Sequence, residues 1–445
     1  MPNYSVVRFG DSVNNSINGP SVANWNLLTK QQELGILGDT HLITYTQKEK
    51  TERYPSGLKV HEVDLKQSKE ISARMPYQPH FKTVEKALEI LPKLKNKVIA
   101  VAVSGRYSPQ AQQFVSLVNK NTKKKAYLVV EGHGSDVCGY QLREFEALYR
   151  NIYKAADLVV LQESPIAKYY FEKEKFSTKN MAVCPTVVSW EDAIDKLKKN
   201  PGLIKDVRDK YYKSYNIPKG AEFILTIGRF QPEKGHRYLV MAAKKILREY
   251  PDLYFLLGGS GDGTISELRR IIGDEKRIKI IGKVPFSDFY ALIASSKAFV
   301  IPSLEIWKKN RLYFAETGPR TLVDGLAAGI VGKNVVIASD SGGTSFNFNL
   351  DKWLMKCFRL GSKTPKKPDY KNIFGNSRVK VYNANNRGLL VEQKNPESIV
   401  QAIRLIMDDN ELSKTLNQEG SRYVTEWRSS RKIAGIYDKI IKSVV

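Results

Sequence analysis

A chain of 445 residues with 42% hydrophobic and 26% charged side chains can bury the cores of two domains of about 200 residues each. No segment approaches the roughly 18 apolar residues that span a bilayer, and residues 1–18 lack the basic start and apolar run of a signal peptide, so we expect a cytoplasmic protein. Cys138, Cys184 and Cys357 lie far apart and outside any Cys/His cluster, which excludes a disulfide framework and a structural zinc site.

The chain is strongly basic, because 71 Lys and Arg residues against 46 Asp and Glu residues give a formal net charge of +25 at pH 7. Such a charge favours association with a polyanion or with an anionic membrane surface. A lysine-rich solvated surface that keeps a large protein soluble explains it equally well. The charge alone therefore does not identify a partner, and peripheral contact with a membrane stays open.

Short apolar runs alternate with amphipathic stretches along the whole chain, a pattern typical of parallel strands joined by crossover helices. Runs bounded by Gly, Pro or polar residues predict the strands. Those of the first half are 5–9, 41–45, 98–103, 126–130, 158–161 and 181–184. Those of the second half are 223–227, 253–257, 278–281, 298–301, 335–338 and 388–391. Two successive doubly wound sheets are expected, each binding ligands at the carboxyl ends of its strands.

Two helices of the second half are predicted from their own sequence patterns, independently of the strands. After Lys234-Gly235, apolar residues recur on one helical stripe at Leu239, Ala242, Ala243, Ile246 and Leu247. Near the end of the chain, Asn395-Pro396-Glu397 supplies an N-cap, a proline at the first helical position and an acidic first turn. We predict that the first helix packs on the second sheet and that another helix starts after Asn395.

The domain boundaries are predicted from charge and apolar content. Residues 197–220 are charged and poor in apolar clusters, and we interpret them as the connection between an N-terminal domain of residues 1–196 and a C-terminal domain of residues 221–427. A terminal helix at 428–445 is expected to pack back on the N-terminal domain. Residues 347–385 interrupt the alternation of strands and helices and are interpreted as a basic insertion.

The clearest candidate for a phosphate site follows the first strand of the second half. Arg229 and Lys234 stand between the predicted strand 223–227 and the predicted helix after Gly235. A diphosphate held there would accept charge-assisted hydrogen bonds worth about 1.5–3 kcal/mol apiece. Basic residues are common in this chain, so the position after a strand and before a helix carries the argument.

A second candidate site follows the strand 298–301. Gly318 and Pro319 suit the start of a helix, whose free N–H groups and dipole attract an anion without any side-chain charge. Glu316 then stands just before the helix and Asp324 about two turns into it. One carboxylate could meet a sugar and the other a ribose, although a solvated helix face explains Asp324 as well.

These segments resemble glycosyltransferase family 4, a large family of the GT-B fold. The resemblance covers most of the chain and is strong in the second half, in the segments 228–235, 256–261, 281–284, 301–303, 316–329, 337–343 and 388–391. In the first half it is looser, in 18–21 and 129–136. It implies an α/β fold with two Rossmann-like, doubly wound parallel-sheet domains that face across a cleft. It also implies a retaining glycosyltransferase.

The resemblance also implies roles for single residues. Arg229 and Lys234, beside Gly228, would hold the donor diphosphate and act in catalysis. Glu316 would contact the donor sugar, and Asp324 the ribose, as the two ends of the family's Glu-x7-Glu motif. The resemblance further implies that the loop at Val284 contacts the base, and that Gly19 of the other domain approaches the donor. His133 would face the donor sugar or the acceptor. The phosphates would be bound by backbone groups of Gly318, Pro319, Arg320 and Thr321.

The chain departs from the family pattern in several places. The second motif carboxylate is Asp324 rather than Glu, and Gly318 follows Glu316 by two residues rather than three. The stretch 304–315 is longer than expected, which makes Glu305 a rival for the first motif position. We prefer Glu316 because its spacing to Asp324 fits.

The expected reaction transfers a sugar from a nucleotide sugar to an acceptor hydroxyl on the same face, with no cofactor and no metal. The acceptor is a glycan, a lipid-linked saccharide or another hydroxyl in glycan, glycolipid or cell-envelope synthesis. A DNA- or nucleobase-directed glycosyltransferase is an alternative, because the basic surface suits nucleic acid. A nucleotide-sugar epimerase and a non-catalytic polyanion-binding protein are further alternatives.

Overall fold

The computed structural model describes residues 3–10, 19–45, 54–63, 81–133, 137, 146–162, 164–357 and 362–445. The chain divides into two compact units. The first unit comprises Met1–Val187, Lys352–Pro365 and Ser430–Val445, and the second comprises Val188–Asp351 and Lys366–Ser429. Among the described helices, none combines the length and the apolar character needed to cross a membrane.

The first unit is built on a parallel sheet. Its strands are β1 (Tyr4–Phe9), β2 (Asp39–Tyr45), β3 (Lys59–Val63), β4 (Lys97–Ala102), β5 (Lys125–Gly132), β6 (Leu158–Gln162) and β7 (Met181–Cys184). They lie in the order β3-β2-β1-β4-β5-β6-β7, and every neighbouring pair is parallel. The order reverses between β1 and β4, which is the switch point where doubly wound sheets bind ligands.

The second unit repeats this plan with one antiparallel edge. Its strands are β8 (Glu222–Ile227), β9 (Leu253–Gly258), β10 (Ile278–Gly282), β11 (Ala298–Ile301), β12 (Ile306–Lys308), β13 (Arg311–Phe314), β14 (Val335–Ser339), β15 (Val381–Asn383) and β16 (Leu389–Val391). The sheet order is β10-β9-β8-β11-β14-β16-β15, with β15 antiparallel to β16. Strands β12 and β13 form a separate antiparallel hairpin.

Helices connect the strands in both units. They are α1 (Gly19–Glu33), α2 (Phe81–Ile90), α3 (Ser108–Asn121), α4 (Glu146–Ala155), α5 (Ile166–Lys173), α6 (Glu191–Lys199), α7 (Gly202–Tyr215), α8 (His236–Ile246), α9 (Ile265–Ile272), α10 (Phe286–Ala294), α11 (Arg320–Ala328), α12 (Thr344–Asn347), α13 (Leu350–Cys357), α14 (Pro396–Asp408), α15 (Asn410–Trp427) and α16 (Ser430–Lys442). Short 3-10 turns lie at Leu91–Lys93, Gly105–Tyr107 and Pro232–Lys234.

The cores form as the periodicities predict. Strands β11 and β14 are buried at every residue, because helices cover both faces of a parallel sheet. The apolar stripe of α8 is buried throughout, at Leu239, Ala242, Ala243, Ile246 and Leu247. Helix α14 starts at Pro396, and the Asn395 side chain accepts hydrogen bonds from the backbone N–H groups of Glu397 and Ser398 at 3.0 and 3.3 Å.

Every strand predicted from the sequence is confirmed, and the strands missed by it are β3, β12, β13 and β15. Each missed strand has only three to five residues, and polar or charged residues lie within it or directly beside it, so its apolar residues form no run as long as those of the predicted strands. The segment 197–220, interpreted as a connection, instead contains the end of α6 and the whole of α7 in the second unit. The buried face of α7 is formed by Tyr211 and Tyr212. Because these residues are aromatic rather than aliphatic, a search for aliphatic clusters does not find this helix.

The segment 347–385, interpreted as one basic insertion, is divided in the structure. It contains α13 and β15, and its residues 352–365 belong to the first unit whereas those from Lys366 belong to the second. Helix α16, at the end of the chain, lies in the first unit and packs against α1 and β7. The boundary between the two units near Val187 lies earlier than the predicted boundary at residue 196.

Candidate active site

The loop that leaves β8 is held close to the loop that leaves β11. It passes through Gly228 and Arg229 into the 3-10 turn and reaches Gly235, which has a positive φ of 67°. A Cβ atom at Gly235 would lie 1.9 Å from the carbonyl oxygen of Pro302, so no other residue fits there. The backbone N–H of Leu304 also donates to the carbonyl of Glu233 at 2.8 Å.

This close approach brings Lys234 to Glu316. The Lys234 ammonium donates to Glu316 Oε1 at 2.5 Å, and the Ser303 hydroxyl donates to the same oxygen at 3.0 Å. The Lys234 side chain is 23% exposed and the Glu316 side chain 11% exposed. In the described part of the chain, no hydrogen bond reaches the second carboxylate oxygen, and Glu316 is the only acceptor of the Lys234 ammonium.

The charges of this cluster follow from its contacts. Burial raises the pKa of Glu316, but the Lys234 ammonium, with the Ser303 hydroxyl and the more distant Arg229, outweighs burial and leaves that pKa below its ordinary value. Glu316 is therefore ionised at neutral pH. The arrangement offers a carboxylate oxygen and ammonium hydrogens to a ligand.

Arg229 stands apart from the Lys234–Glu316 pair. Its side chain is 61% exposed and makes a 3.5 Å ion pair with Glu233. Such an exposed pair contributes little to stability, so it does little to hold the guanidinium in place. The structure thus places Arg229 on the same loop as Lys234 but not in contact with Glu316.

A glycine turn after β14 supports the backbone of Glu316. The Gly343 N–H donates to the Glu316 carbonyl at 2.7 Å. A Cβ atom at Gly342, where φ is 53°, would lie 2.1 Å from that same oxygen. Glu305 binds the turn differently, because its carboxylate accepts from the Gly342 N–H at 2.8 Å and from the Trp307 indole at 3.0 Å. Of the two rival carboxylates, Glu316 is the one that contacts Lys234.

Helix α11 begins directly after Gly318 and Pro319, both of which are buried. Within the described ranges, its N-cap residue, Pro319, makes no side-chain capping hydrogen bond. The first N–H groups of a helix have no partner within the helix, so those at the start of α11, near Arg320 and Thr321, suit an anion. This start lies four residues beyond Glu316 along the chain.

Asp324 lies on the buried side of α11. The hydroxyl of Tyr290, on α10, donates to Asp324 Oδ1 at 2.5 Å. Burial, followed by the Asp324 charge, raises the pKa of Tyr290 well above its ordinary value, so the phenol stays protonated. The solvated helix face is therefore wrong for Asp324, and its contact with ribose stays a prediction.

Two further residues complete the surroundings of the β8 loop. Val284 occupies the space beside Gly258, where a Cβ atom would lie 2.8 Å from Val284 Cγ2. His236, which the sequence reasoning missed, is buried at the start of α8, and burial with the Lys234 charge lowers its pKa to about 4. A neutral imidazole therefore lies beside the Phe230 ring, with 5.1 Å between the ring centroids. The position of His236, two residues after Lys234, is the feature of the sequence that could have identified it as part of this region.

The first unit has a separate polar cluster around Glu131. Arg8 donates to Glu131 Oε1 at 2.6 Å, and Tyr437 of α16 donates to the same oxygen. His133 Nε2 lies 3.5 Å from Glu131 Oε2, and His133 lines a small cavity with Asn24. Gly19 is the first residue of α1, whereas Asn18 and residues 134–136, which carry the looser resemblance, lie outside the described residues.

No group of three or more His, Cys, Asp and Glu side chains arranged to bind a metal ion occurs in the described ranges. Cys184 is buried and takes part in no disulfide within the described part of the chain. Cys138 lies outside the described residues.

Comparisons with known proteins give matches in sequence and in fold. Residues 207–349, which include Arg229, Lys234, Glu316 and Asp324, match the family described as Glycosyl transferases group 1. An uncharacterized glycosyltransferase of Methanocaldococcus jannaschii is 28% identical over 163 residues, which are 35% of this chain and 36% of that protein. The alignment thus spans about a third of the length of this relative.

Solved structures match over nearly the whole chain. A glycosyltransferase from Rickettsia africae has a TM-score of 0.67 at 19% identity and covers 99% of this chain and 98% of its own. Anabaena HepE in complex with UDP has a TM-score of 0.65 at 12% identity, covering 99% and 100%. The chain has the GT-B fold. At these identities the likeness establishes the fold alone.

Proposed function

We propose that the protein is a glycosyltransferase that moves a sugar from a nucleotide-diphosphate sugar to an acceptor hydroxyl and keeps the anomeric configuration. The observation that carries the proposal is the Lys234–Glu316–Ser303 cluster, in which Glu316 lies four residues before the start of α11. The group 1 match over residues 207–349 covers every residue of this cluster.

The diphosphate is the leaving group, and its charge grows as the bond to the anomeric carbon breaks. The Lys234 ammonium has hydrogens beyond the one that it donates to Glu316, Arg229 is exposed on the same loop, and the positive end of the α11 dipole lies at Pro319. Donors arranged before the reaction stabilise this charge more in the transition state than in the ground state. We propose that these cations supply the charge and that no metal or cofactor is required.

Glu316 binds the donor sugar in this proposal. It is ionised, and its second oxygen is available for sugar hydroxyls. The ion pair with the Lys234 ammonium balances the negative charge of this carboxylate, which makes it a weak nucleophile for a double displacement. We therefore propose front-face substitution, in which a diphosphate oxygen takes the proton from the acceptor hydroxyl.

The solved relatives support a nucleotide-sugar donor. Anabaena HepE, which shares the fold, has been solved in complex with UDP and with UDP-glucose. Val284 beside Gly258 and Asp324 on α11 are proposed to meet the nucleoside, and Gly19 and His133 of the first unit the donor or acceptor. The acceptor is proposed to belong to glycan, glycolipid or cell-envelope synthesis on the cytoplasmic side.

The donor proposal is tested by thermal unfolding of the full chain with UDP, GDP, ADP and their sugar conjugates. A ligand at 100 times its Kd stabilises a protein by about 2.7 kcal/mol. We expect stabilisation by one nucleotide series, reduced in Lys234→Ala and unchanged in the control Lys276→Ala, which removes an exposed lysine of the second unit. Analysis of the products then separates transfer to an acceptor from epimerisation. Failure of every nucleotide to stabilise the protein would refute the proposal.

A further inference from the structure

The basic segment 366–380 has no role in the proposed sugar transfer. It contains five Lys and Arg residues and a single acidic residue, Asp369. The segment belongs to the second unit and leads directly into the edge strand β15. A run of charge of one sign at the surface attracts partners of the opposite sign, so this segment suits an anionic partner.

A β-turn at residues 372–375 presents two apolar side chains within this basic segment. The Gly375 N–H donates to the Asn372 carbonyl at 3.1 Å, so Ile373 and Phe374 are the two central residues of the turn. They are 37% and 36% exposed. The centre of a turn usually carries Gly, Pro, Asn, Asp or Ser, so two consecutive large apolar residues are uncommon there. Their exposed surface is available to an apolar partner.

Hydrogen bonds of the Asn372 side chain hold the turn in place. Its Oδ1 accepts from the N–H groups of Phe374 at 3.3 Å and Val381 at 3.0 Å, and its Nδ2 donates to the Gly375 carbonyl at 2.7 Å. The Ile373 N–H also donates to the Val381 carbonyl at 2.7 Å. The turn is therefore tied to β15, and an ordered turn loses little conformational entropy when it binds a partner.

Three cations lie close to the turn in the chain. Lys371 and Arg378 flank it, and Lys380 immediately precedes Val381, which is bonded to Ile373. All three cations are exposed, and none of them takes part in an ion pair within the described ranges. Attraction between such cations and an anionic surface acts over about 8 Å in physiological salt. An anionic surface that meets the apolar turn would therefore attract all three.

The segment is also joined to the candidate active site through a short series of contacts. The Tyr370 hydroxyl donates to the Ser345 carbonyl at 2.9 Å. Ser345 follows Gly343 by two residues, and the Gly343 N–H donates to the Glu316 carbonyl at 2.7 Å. All of these residues belong to the second unit. A surface that binds the turn would thus be connected to the support of Glu316.

We propose that the turn 372–375 anchors the protein peripherally to an anionic phospholipid bilayer. Ile373 and Phe374 enter the boundary between headgroups and acyl chains, and Lys371, Arg378 and Lys380 bind lipid phosphates. Binding of this kind grows with the apolar area inserted and with the number of cations near the surface. Nucleic acid offers phosphates but no apolar layer for Ile373. The inference goes beyond the proposed sugar transfer, which needs no membrane.

The test measures co-sedimentation of the full chain with vesicles of phosphatidylglycerol mixed with phosphatidylcholine, and with vesicles of phosphatidylcholine alone. One variant, Phe374→Ser, removes an apolar side chain from the turn. The other, Lys371→Ala/Arg378→Ala/Lys380→Ala, removes the three cations. Binding of fluorescent oligothymidylate is measured in parallel, and thermal unfolding of every variant without ligand reports whether it folds.

Each variant has a matched control in the second unit. Met241→Ser removes an apolar side chain of α8 from a residue that is 39% exposed. Lys205→Ala/Lys213→Ala/Lys276→Ala removes the same charge from exposed positions outside the segment. Insertion itself is measured with Phe374→Trp and Met241→Trp, by quenching of the added tryptophan with brominated acyl chains in the vesicles.

We expect wild type to bind the phosphatidylglycerol vesicles and not phosphatidylcholine alone, and both turn variants to weaken binding by about tenfold or more. The controls should bind as wild type does, and brominated lipid should quench Phe374→Trp but not Met241→Trp. Absence of binding by wild type, or wild-type binding by either turn variant, overturns the inference. Loss of oligothymidylate binding in the turn variants, with vesicle binding intact, overturns it too and assigns the segment to nucleic acid. Vesicle binding without any stabilisation by UDP, GDP or ADP refutes the donor proposal and leaves the anchor standing.

Discussion

Each unit of the molecule contains a cation paired with a glutamate. The two pairs differ in how many of their hydrogen-bonding groups remain available to a ligand. In the first unit, Arg8 and Glu131 are both 2% exposed. Arg8 also donates to Asn24 at 2.9 Å and to the Tyr437 hydroxyl at 3.0 Å, so its donors are directed into the fold. This pair joins β1 and β5 to the terminal helix α16.

The second pair, Lys234–Glu316, has the same chemistry but keeps donors and a carboxylate oxygen available. Both glutamates have a pKa below the ordinary value, because a cation outweighs the effect of burial in each case. The pKa shift alone therefore does not separate a structural pair from a ligand-binding one. The exposed fraction of the side chains and their remaining hydrogen-bonding capacity separate the two kinds of pair.

The largest expected effect comes from breaking the first pair. Glu131→Gln leaves the Arg8 guanidinium buried without its counter-charge, and removal of one partner of a buried pair typically costs about 3–5 kcal/mol. We expect a lower free energy of unfolding and earlier hydrogen exchange in α16, measured by peptide-resolved exchange. The control Glu419→Gln removes a half-exposed carboxylate from α15. Unchanged protection of α16 would contradict the structural role of the pair.

A smaller effect on stability, and a larger one on turnover, is expected from the second pair. Lys234→Ala removes the donor that we propose for the leaving group and should lower turnover 100-fold or more, which corresponds to about 2.7 kcal/mol. Arg229→Ala should act in the same direction. Lys276→Ala should keep wild-type turnover. Full activity in Lys234→Ala would end the assignment of this lysine to the diphosphate.

The sequence predicted the sheets well, because parallel strands buried on both faces are apolar runs that need no partner to be recognised. It could not predict the contact between Lys234 and Glu316, which are 82 residues apart and meet only because Gly235 lets two loops touch. Spacing likewise marked Asp324 but not its partner Tyr290, which comes from another helix. The sequence showed that the stretch 304–315 is longer than expected, but the hairpin that it forms was not predicted.

The smallest expected effect is a dependence of thermal stability on pH that comes from the Lys234–Glu316 pair. The pKa of Glu316 is lowered in the folded state, so its ionised form stabilises the fold above the ordinary value of 4.5, and this contribution is lost as the pH falls through the folded pKa. Glu316→Gln has no such contribution. The difference in thermal midpoint between wild type and Glu316→Gln should therefore shrink as the pH falls from neutral to below 4.5, in the absence of ligand. The difference between wild type and Glu419→Gln should stay small throughout. A gap that is constant or widens in acid would mean that Lys234 does not lower the pKa of Glu316, and it would contradict the close ion pair between the two side chains.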